Sequence, residues 1–347
     1  MLRAPGFWWR SPGLESRLLH PLGAVYGAVT AWRMRRPGAR SALPVICVGN
    51  FVAGGAGKTP FALEIADRLT RMGERPAFLT RGHGGSLTGP VMVQGDAKIG
   101  SRHGADEVGD EALLLAACAP TVLSHSRSAA AKLAEAAGAT VIVMDDGLQN
   151  PSLRKDFAFA MLDGETAIGN GSCLPAGPLR APLAAQWPFV QALVVMGKQS
   201  EAALALAQEA RRRGLAVLAA RLVPEAAVAA ALAGRPVIAF AGIGRPEKFF
   251  ATLREIGAHL IAEHGFADHH RFAAAELAAL AAEARAKTAI LVTTQKDRVR
   301  IGATGELPQD LLQDIALCEL PVRLQVEDPS LLDALIAEGL GRRRMAG

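Results

Sequence analysis

The chain contains 347 residues, of which half are hydrophobic and only 5% are aromatic. This composition can fill a sizeable core and excludes an intrinsically disordered chain, and the length favours two domains over one. Of the net charge of +5, residues 1–40 carry +6 through seven arginines and one glutamate, which excludes a nucleic-acid-binding surface spread over the whole protein.

The four cysteines lie far apart in the sequence and form no C-x-x-C pair. Their spacing argues against a disulfide framework or a zinc site and favours free thiols in a reducing compartment. They are Cys47, Cys118, Cys173 and Cys318.

The N-terminal segment, residues 1–40, mixes aromatic and basic side chains. Its longest uncharged run, from Leu18 to Trp32, has 15 residues, fewer than the roughly 20 that span a bilayer. The arginines follow this run and no small-residue cleavage site is evident, unlike in a signal peptide. We therefore expect an amphipathic segment that lies on an anionic membrane surface; the alternative is a buried N-terminal helix with a solvated arginine tail.

The run VGNFVAGGAGKTPF, residues 48–61, follows an apolar strand predicted over residues 43–50 and precedes a segment with helical spacing. It matches the phosphate-loop pattern G-x-x-x-x-G-K-[ST], except that Val52 replaces the first glycine. In such a loop, backbone N–H groups bind phosphate, the lysine reaches the terminal phosphates and the threonine binds Mg²⁺. A glycine-rich turn without a ligand is the alternative. The predicted nucleotide-binding residues are Gly54, Gly55, Ala56, Gly57, Lys58 and Thr59.

Strand and helix patterns alternate through the rest of the chain. Apolar runs such as 141–147 and 157–164 predict strands, and an Ala-rich run before the first of them predicts a helix. This order indicates a parallel sheet covered by helices on both faces. A second α/β region follows, so we predict an N-terminal segment of residues 1–40, a core domain of residues 41–225 and a smaller C-terminal domain of residues 226–347.

Two acidic pairs are candidate metal-binding or catalytic groups. Asp145 and Asp146 end an apolar strand, where a carboxylate meets Mg²⁺ opposite a phosphate loop; a solvated Asp-Asp-Gly turn is the alternative. Asp110 and Glu111, in the run VGDEA, stand at a predicted helix start. Acids are common there as partners of the helix dipole, and spacing alone favours this capping role.

The run FADHHRF contains Asp268, His269 and His270. These residues are too few for a metal site, and a structural role is expected for at least one histidine. A histidine in this run can also assist a carboxylate beside a reacting hydroxyl, as an acid–base or orienting group.

Taken in order, eight runs make the chain resemble the tetraacyldisaccharide 4′-kinases, the lipid A 4′-kinases of Gram-negative bacteria. Each run is weak evidence alone, but together they span about residues 45–300 in the same order. The glycine loop of that family also lacks the first phosphate-loop glycine, so the resemblance accounts for Val52. The runs are VGNFVAGGAGKTP, TRGHGG, VGDEA, DDGLQN, GNGSCLPAGPLRAP, AGIGRPEKFF, FADHHRF and TTQKDRV.

The resemblance implies a kinase that depends on ATP and Mg²⁺ and works at the cytoplasmic face of the inner membrane. Its acceptor would be the 4′-hydroxyl of a tetraacylated glucosamine disaccharide 1-phosphate, in lipid A biosynthesis. The implied fold is a P-loop NTPase-like α/β/α sandwich with a second, smaller α/β domain and the site in the cleft between them. No nucleic-acid partner is expected.

The family's site residues map onto this sequence position by position. Lys58 and Thr59 would bind the ATP phosphates and Mg²⁺, with Lys58 also taking part in catalysis. Asp145 and Asp146 would hold the metal, and Asp110 would be the catalytic base.

The remaining assignments surround these groups. A histidine of the DHH run would orient Asp110, and we expect His269 rather than His270 in that role. Glu111 and Arg81 are expected at the nucleotide, and Arg81 is also a candidate for the substrate phosphate. The residues expected at the substrate are Asn50, Gln149 and Arg180.

Three positions depart from the family pattern. His83, Asn150 and Gln295 stand where Tyr, His and Glu are common. None of these differences removes a charged group from the phosphate site, and Gln295 is assigned no role beyond holding its own loop.

Two other protein classes remain as alternatives. A membrane-associated ATPase switch of the chromosome-partitioning type uses K-G-G-x-G-K-T, but Ala53 replaces its signature lysine here. A non-catalytic nucleotide-binding module would explain the glycine loop but not the presence of Asp110, Asp145, Asp146 and the DHH run.

Overall fold

The structure, a computed structural model, describes residues 4–93, 103–303 and 317–344. Within these residues, mainly parallel strands form a larger sheet of nine strands and a smaller sheet of four. In chain order the strands are β1 Val45–Asn50, β2 Pro76–Thr80, β3 Val91–Val93, β4 Thr121–Leu123, β5 Val141–Asp145, β6 Phe157–Asp163, β7 Ala192–Met196, β8 Ala216–Pro224, β9 Pro236–Ala241, β10 His259–Gly265, β11 Ile290–Thr294, β12 Leu317–Leu320 and β13 Val322–Val326.

Helices connect the strands and cover the sheets, as the alternating pattern predicts. The helix after the glycine loop begins at Lys58, so the strand, loop and helix that a phosphate loop requires are all present. The helices are α1 Leu14–Met34, α2 Lys58–Arg71, α3 Ala105–Val108, α4 Asp110–Ala116, α5 Arg127–Ala136, α6 Leu183–Gln186, α7 Glu201–Arg212, α8 Ala226–Leu232, α9 Pro246–Glu255, α10 Ala274–Ala286, α11 Gln295–Ala303 and a C-terminal helix, Pro329–Arg344, with 3₁₀ turns at Gly6–Trp9 and Trp187–Phe189.

The larger sheet has the strand order β13-β8-β7-β6-β1-β5-β2-β4-β3. The strands from β8 to β4 run parallel, and the two edge strands are antiparallel to their neighbours. Every residue of β1 is buried, because alternate side chains enter two cores. Ile46 packs on the side of α2 with Phe61, and Cys47 packs on the side of α5 and α7 with Ala130 and Ala203. The predicted sheet with both faces covered is confirmed.

The smaller sheet has the order β10-β9-β11-β12, and its neighbouring strands are parallel. Phe250 and Leu253 of α9 fill the core on one face, and Leu277 and Leu280 of α10 fill the core on the other. This sheet is the second, smaller α/β unit that the resemblance implies.

The end of the chain returns to the larger sheet, unlike the single C-terminal domain predicted over residues 226–347. β13 pairs with β8, and Leu332 and Ile336 of the C-terminal helix join the core around Phe61. The physical reason is that this arrangement covers the outer edge of β8, which would otherwise expose unpaired backbone groups.

Helix α1 has one buried face and one exposed apolar face. Ser16 Oγ donates to a backbone carbonyl of the loop before α6 at 2.9 Å. A Cβ built on Gly23 or Gly27 would lie within 2.8 Å of Cys173 atoms, so glycine allows this close approach. None of the helices in the described ranges has the length and apolarity that crossing a bilayer requires. The exposed apolar residues are Leu14, Leu18, Leu22, Val25, Tyr26, Val29 and Trp32.

Candidate active site

The predicted phosphate-binding residues form an open loop between β1 and α2. Lys58 Nζ donates to the Gly54 carbonyl at 3.1 Å, and Asn50 Nδ2 donates to the same oxygen at 3.0 Å. Gly57 has φ 78°, a left-handed conformation that glycine adopts without strain. A Cβ built on Gly54 or Gly55 would meet no described atom within 4 Å. The space in front of this loop can therefore receive a ligand.

Val52, which replaces the first glycine of the pattern, lies in a buried β-bridge. It pairs with Leu179 and is 5% exposed, and Ala53 N donates to the Pro178 carbonyl at 2.7 Å. A buried, extended position suits a β-branched residue. The loop is thus anchored at its first half by the run PAGPLR, and the valine is part of that anchor.

The adjacent acids at the end of β5 have different surroundings. Asp146 accepts hydrogen bonds from Arg180 Nη1 at 2.6 Å and Nη2 at 2.9 Å, and Lys58 Nζ lies 3.8 Å from its carboxylate. Desolvation opposes these cations, but they lower the pKa of Asp146 below its usual value. Asp145 Oδ1 is buried with no hydrogen-bond partner among the described residues. Burial, with Glu111 and Asp146 nearby, raises the pKa of Asp145.

These contacts fit a magnesium ion that also binds phosphate. In the described part of the chain, no group of three or more His, Cys, Asp or Glu residues is arranged as a metal site. Mg²⁺ commonly takes one or two protein carboxylates and completes its shell with phosphate oxygens and water. Asp145 Oδ1 and Asn50 Oδ1 are buried acceptors without described partners on adjacent strands, whereas Asp146 is already bound by Arg180. The donor set therefore suits Mg²⁺ at Asp145, with Thr59 at the start of α2 as the hydroxyl ligand.

Asp110 lies where the two α/β units meet. It is the first residue of α4 and is 3% exposed. Arg300 of α11 donates to Asp110 Oδ2 through Nε at 2.9 Å and Nη2 at 2.6 Å. His269 Nδ1 lies 3.2 Å from Asp110 Oδ1. Arg300 Nη1 also donates to Asp297 at 2.6 Å, which fixes the guanidinium.

These partners determine the protonation of Asp110 and His269. Burial alone raises the pKa of Asp110, but the hydrogen bond with His269 and the charge of Arg300 together lower it below its usual value. The same hydrogen bond raises the pKa of His269 against the opposite effect of burial. Asp110 is therefore a carboxylate, and His269 is biased towards the imidazolium form.

Glu111, next to Asp110, is paired with Lys296 of α11. Lys296 Nζ donates to Glu111 Oε1 at 2.8 Å. The charge of Lys296 is the main cause of the lowered pKa of Glu111, and Lys58 acts in the same direction. After burial, Glu111 is the next contributor to the raised pKa of Asp145. Glu111 therefore interacts electrostatically with Lys58 of the phosphate loop and with Asp145 at the end of β5.

The three residues predicted at the substrate frame the phosphate loop. Gln149 Nε2 donates to the Asn50 carbonyl at 2.7 Å and to Gln186 Oε1 at 2.8 Å. Arg180 Nη1 lies 3.4 Å from Gln149 Oε1 while it holds Asp146. These contacts give Asn50 and Gln149 a structural role in the loop, and their contact with a substrate stays a prediction.

The DHH run divides between two roles. His269 reaches Asp110, whereas His270 Nε2 lies 2.9 Å from Glu276 and its ring stacks on Phe266 with centroids 4.7 Å apart. The structure therefore brings His269, and not His270, to the predicted base.

The remaining predicted positions lie around this centre. Arg81 follows β2 with an exposed side chain. The ring of His83, in the same loop, lies 5.9 Å from the ring of His269. Gln295 Oε1 accepts a hydrogen bond from Val322 N at 3.3 Å, so it ties the start of α11 to β13.

The model of the family described as LpxK, tetraacyldisaccharide-1-P 4′-kinase, matches residues 15–340. The chain belongs to this family.

Curated relatives that match this kinase over nearly their whole length carry the same name. A tetraacyldisaccharide 4′-kinase of Methylobacterium sp. (strain 4-46) is 55% identical over 97% of this chain and 97% of its own. The protein of that name from Xanthobacter autotrophicus is 52% identical over 96% of each chain. The solved structure of LpxK from Aquifex aeolicus in complex with ATP has a TM-score of 0.71 at 24% identity and covers 94% of this chain and 99% of that chain. The predicted fold class is confirmed.

Sequence reasoning did not assign roles to several charged residues of the kinase site. Lys296 and Arg300 stand four residues apart on α11, so they share a helix face. Two cations at this spacing after a buried strand were the sequence feature that could have indicated their place in the site. Their partners Glu111 and Asp110 lie 185 and 190 positions away in the sequence. Arg127, buried at the start of α5, donates to the Asp145 carbonyl at 3.5 Å and was also missed.

Proposed function

We propose that this kinase transfers the γ-phosphate of ATP to the 4′-hydroxyl of a tetraacylated glucosamine disaccharide 1-phosphate, in lipid A biosynthesis. The names of the relatives supply the substrate class, and the LpxK structure from Aquifex aeolicus supplies the nucleotide. The observations that carry the proposal are Lys58 of the phosphate loop beside Asp146, and Asp110 held by His269 and Arg300 at the start of α4. The neighbouring residue of α4, Glu111, interacts electrostatically with Lys58 and Asp145.

The larger unit holds the phosphoryl donor. Backbone N–H groups of the glycine loop and the Lys58 ammonium bind the terminal phosphates, as in other phosphate loops. Thr59 and Asp145 are the residues that would hold Mg²⁺, which when bound neutralises charge on the β- and γ-phosphate oxygens. Arg180 keeps Asp146 ionised and in place beside Lys58.

Asp110 serves as the base for the acceptor. Phosphoryl transfer passes through a loose transition state, so the hydroxyl gives up its proton late and a weak base suffices. The proton moves from the 4′-hydroxyl oxygen to a carboxylate oxygen of Asp110. His269 and Arg300 fix the orientation of that carboxylate. Both come from the smaller unit, so the base is complete only when the two units are together.

A direct assay tests this function. The purified protein is incubated with ATP, Mg²⁺ and a tetraacylated glucosamine disaccharide 1-phosphate, and the lipid is analysed by mass spectrometry and ³¹P NMR. We expect the mass of one added phosphate and a new monoester at the 4′ position, both absent with Lys58→Ala. A lipid that stays unmodified in the presence of the folded wild-type protein would refute the proposal.

We also propose that residues 1–40 bind the anionic cytoplasmic face of the inner membrane through α1. Leu14 and Leu18 are 72% and 70% exposed on its outward face. The arginines near its ends are exposed, and the guanidinium of Arg36 lies 3.9 Å from the centre of the Trp32 ring. An apolar stripe flanked by arginines fits a helix in the interface of an anionic leaflet. The acyl chains of the substrate can then stay in the bilayer while its sugar enters the site.

Vesicle flotation tests this attachment with a matched control. Leu18→Ala/Leu22→Ala removes two exposed leucines from α1, and Leu204→Ala/Leu222→Ala removes two from elsewhere on the surface. We expect the first pair to weaken binding to vesicles with anionic lipid by about tenfold or more and the second pair to leave it unchanged. Equal binding by both variants would refute a role for this face of α1.

A further inference from the structure

We propose that Lys296 is a further catalytic residue, which leaves Glu111 when the nucleotide binds and contacts the phosphoryl group during transfer. The smaller unit would thereby supply a cation to the reacting phosphate as well as positioning the base. Lys296 stays protonated and forms no covalent bond. The inference rests on the proposed function, because it assigns a residue to that same transfer.

Lys296 of the smaller unit reaches the start of α4 in the larger unit. Its ammonium is held 2.8 Å from Glu111 Oε1. Its charge also acts on Asp110, the proposed base, and on Asp145, the proposed metal ligand. Glu111 in turn feels the charge of Lys58 in the phosphate loop. Lys296 of the smaller unit therefore contacts the start of α4 and interacts electrostatically with the proposed base and the proposed metal ligand.

Acidic and basic side chains surround the proposed transfer site. The described acids at its centre include Asp110, Glu111, Asp145 and Asp146, and the described cations include Lys58, Arg180, Lys296 and Arg300, with Arg127 buried beside Asp145 and Arg81 exposed after β2. A nucleoside triphosphate brings more negative charge than one Mg²⁺ neutralises, so side-chain cations in addition to the metal stabilise the phosphates, Lys58 among them. In related phosphoryl transfers, an added cation that reaches the transferring group stabilises the transition state.

Among Arg180, Lys296 and Arg300, the contacts single out Lys296. Arg300 bonds Asp110, Asp297 and the Gly242 carbonyl at once, and Arg180 holds both oxygens of Asp146. Lys296 makes one described contact, with Glu111, and its side chain is 32% exposed. A lysine has a flexible four-carbon stem and rotatable donors, so its ammonium can turn from Glu111 to a phosphate oxygen without moving α11.

A purely structural bridge between the units is the competing explanation, and the chain offers a matched control. Lys248 of α9 also belongs to the smaller unit and also reaches an acid on the larger one, with Nζ 2.8 Å from Glu165 Oε2. Its side chain is 45% exposed. Arg245 contacts the same acids as Lys248. If Lys296 only joins the units, its removal should lower the melting temperature but, like removal of Lys248, leave the affinity for a mimic of the transferring phosphoryl group unchanged.

The experiment compares wild type with Lys296→Ala, Lys296→Met, Lys296→Arg and Lys248→Ala. We measure kcat, KM for ATP, the melting temperature, and by calorimetry the affinities for Mg²⁺–ADP and for Mg²⁺–ADP–aluminium fluoride, which mimics the phosphoryl group in transit. We expect Lys296→Ala and Lys296→Met to lose about 10²–10³-fold in kcat and a similar factor in affinity for the fluoride complex. The affinity for Mg²⁺–ADP should change by no more than about threefold. For Lys248→Ala, kcat, KM for ATP and both affinities should stay within about threefold of wild type.

The outcomes separate this inference from the proposed function. If wild type binds the fluoride complex tightly but does not phosphorylate the lipid, the substrate assignment fails while the affinity of the Lys296 variants still decides their role. Unchanged affinity for the fluoride complex in a folded Lys296→Met or Lys296→Ala variant overturns the inference. Equal losses in Lys296→Ala and Lys248→Ala also overturn it, because they show a bridge between the units. Lys296→Arg keeps the charge and should retain more of the affinity than Lys296→Met.

Discussion

Two loops follow buried strands at the carboxyl ends of the two sheets, and they differ in what lies in front of them. The loop between β1 and α2 is open, because a Cβ on Gly54 or Gly55 would meet no described atom within 4 Å. The loop between β9 and α9 is filled. Gly242 N donates to both oxygens of Asp297 at 3.2 Å, and a Cβ on Gly242 would lie 3.1 Å from His270 and 3.2 Å from Asp297.

The difference shows how one local pattern serves two purposes. A strand, a glycine loop and a helix present backbone N–H groups that favour an anion. In the larger unit that anion is expected to be a nucleotide phosphate, whereas in the smaller unit it is the carboxylate of Asp297. The filled loop instead holds the two proposed partners of Asp110, since the Gly242 carbonyl accepts from Arg300 at 2.7 Å and from His269 N at 3.0 Å. We therefore propose that the open loop binds a phosphate and that the filled loop orients Arg300 and His269.

The largest expected effect comes from Asp110, on which the residues of the filled loop act. Asp110→Asn keeps the shape of the side chain but removes the proton acceptor. We expect kcat to fall by about 10²–10⁴-fold while KM for ATP changes little, because the phosphate loop is untouched. Initial rates at saturating lipid and varied ATP measure both quantities.

Asp106→Asn is the control for that experiment. Asp106 is an exposed acid on the adjacent helix α3, and its replacement should leave kcat within about twofold of wild type. Wild-type turnover in Asp110→Asn would remove Asp110 as the base and leave the filled loop with a structural role alone.

A pair of glycine substitutions tests the two loops directly and should have an intermediate effect. Gly242→Ala places a methyl group against Asp297 and His270, and such overpacking typically lowers the free energy of unfolding by about 1–3 kcal/mol. Gly55→Ala should change that free energy by no more than about 0.5 kcal/mol, yet weaken ATP binding because the methyl group enters the open space. Urea denaturation and calorimetry with ATP measure the two quantities.

The two substitutions should affect different quantities, the free energy of unfolding for Gly242→Ala and the affinity for ATP for Gly55→Ala. Gly242→Ala should bind ATP like wild type, and Gly55→Ala should unfold like wild type. If Gly242→Ala loses ATP affinity at unchanged stability, the filled loop is itself part of the nucleotide site.

Local patterns in the sequence predicted the open loop better than the filled one. β1, the glycine loop, α2 and the acids after β5 lie close together in the chain and follow known spacing rules. Asp110 was ambiguous, because a capping residue and a base both stand at the start of α4. The contacts that distinguish these roles come from Arg300 and His269, which lie far away in the sequence.

The C-terminal boundary was missed for a related reason. β13 pairs with β8 across about 100 residues, and the pairing of an edge strand depends on which edge is available, not on the strand's own pattern. Val52 illustrates the opposite case. Its departure from the phosphate-loop pattern was visible in the sequence, but the bridge to Leu179 that explains it was not.

The smallest expected effect is a pH dependence of the contact between His269 and Asp110. The pKa of His269 is raised on folding, so its contribution to stability is complete below the unfolded pKa of about 6.5 and is lost as pH rises through the folded value. The pKa of Asp110 is lowered, so its contribution is complete above about 3.9 and constant at neutral pH. We expect the stability difference between wild type and His269→Gln to be larger at about pH 5.5 than at about pH 8.5, by up to about 1.5 kcal/mol.

His270→Gln is the matched control for this measurement, because it changes the neighbouring histidine of the same run. Its partner Glu276 is 38% exposed on its side chain, so solvent screens that pair, and His270→Gln should change the stability less than His269→Gln does. Urea denaturation of the three proteins at both pH values gives the differences. If the difference for His269→Gln instead grows as pH rises, the folded protein prefers neutral imidazole. Among the described side chains of the smaller unit that hydrogen-bond Asp110, Arg300 would then be the charged one.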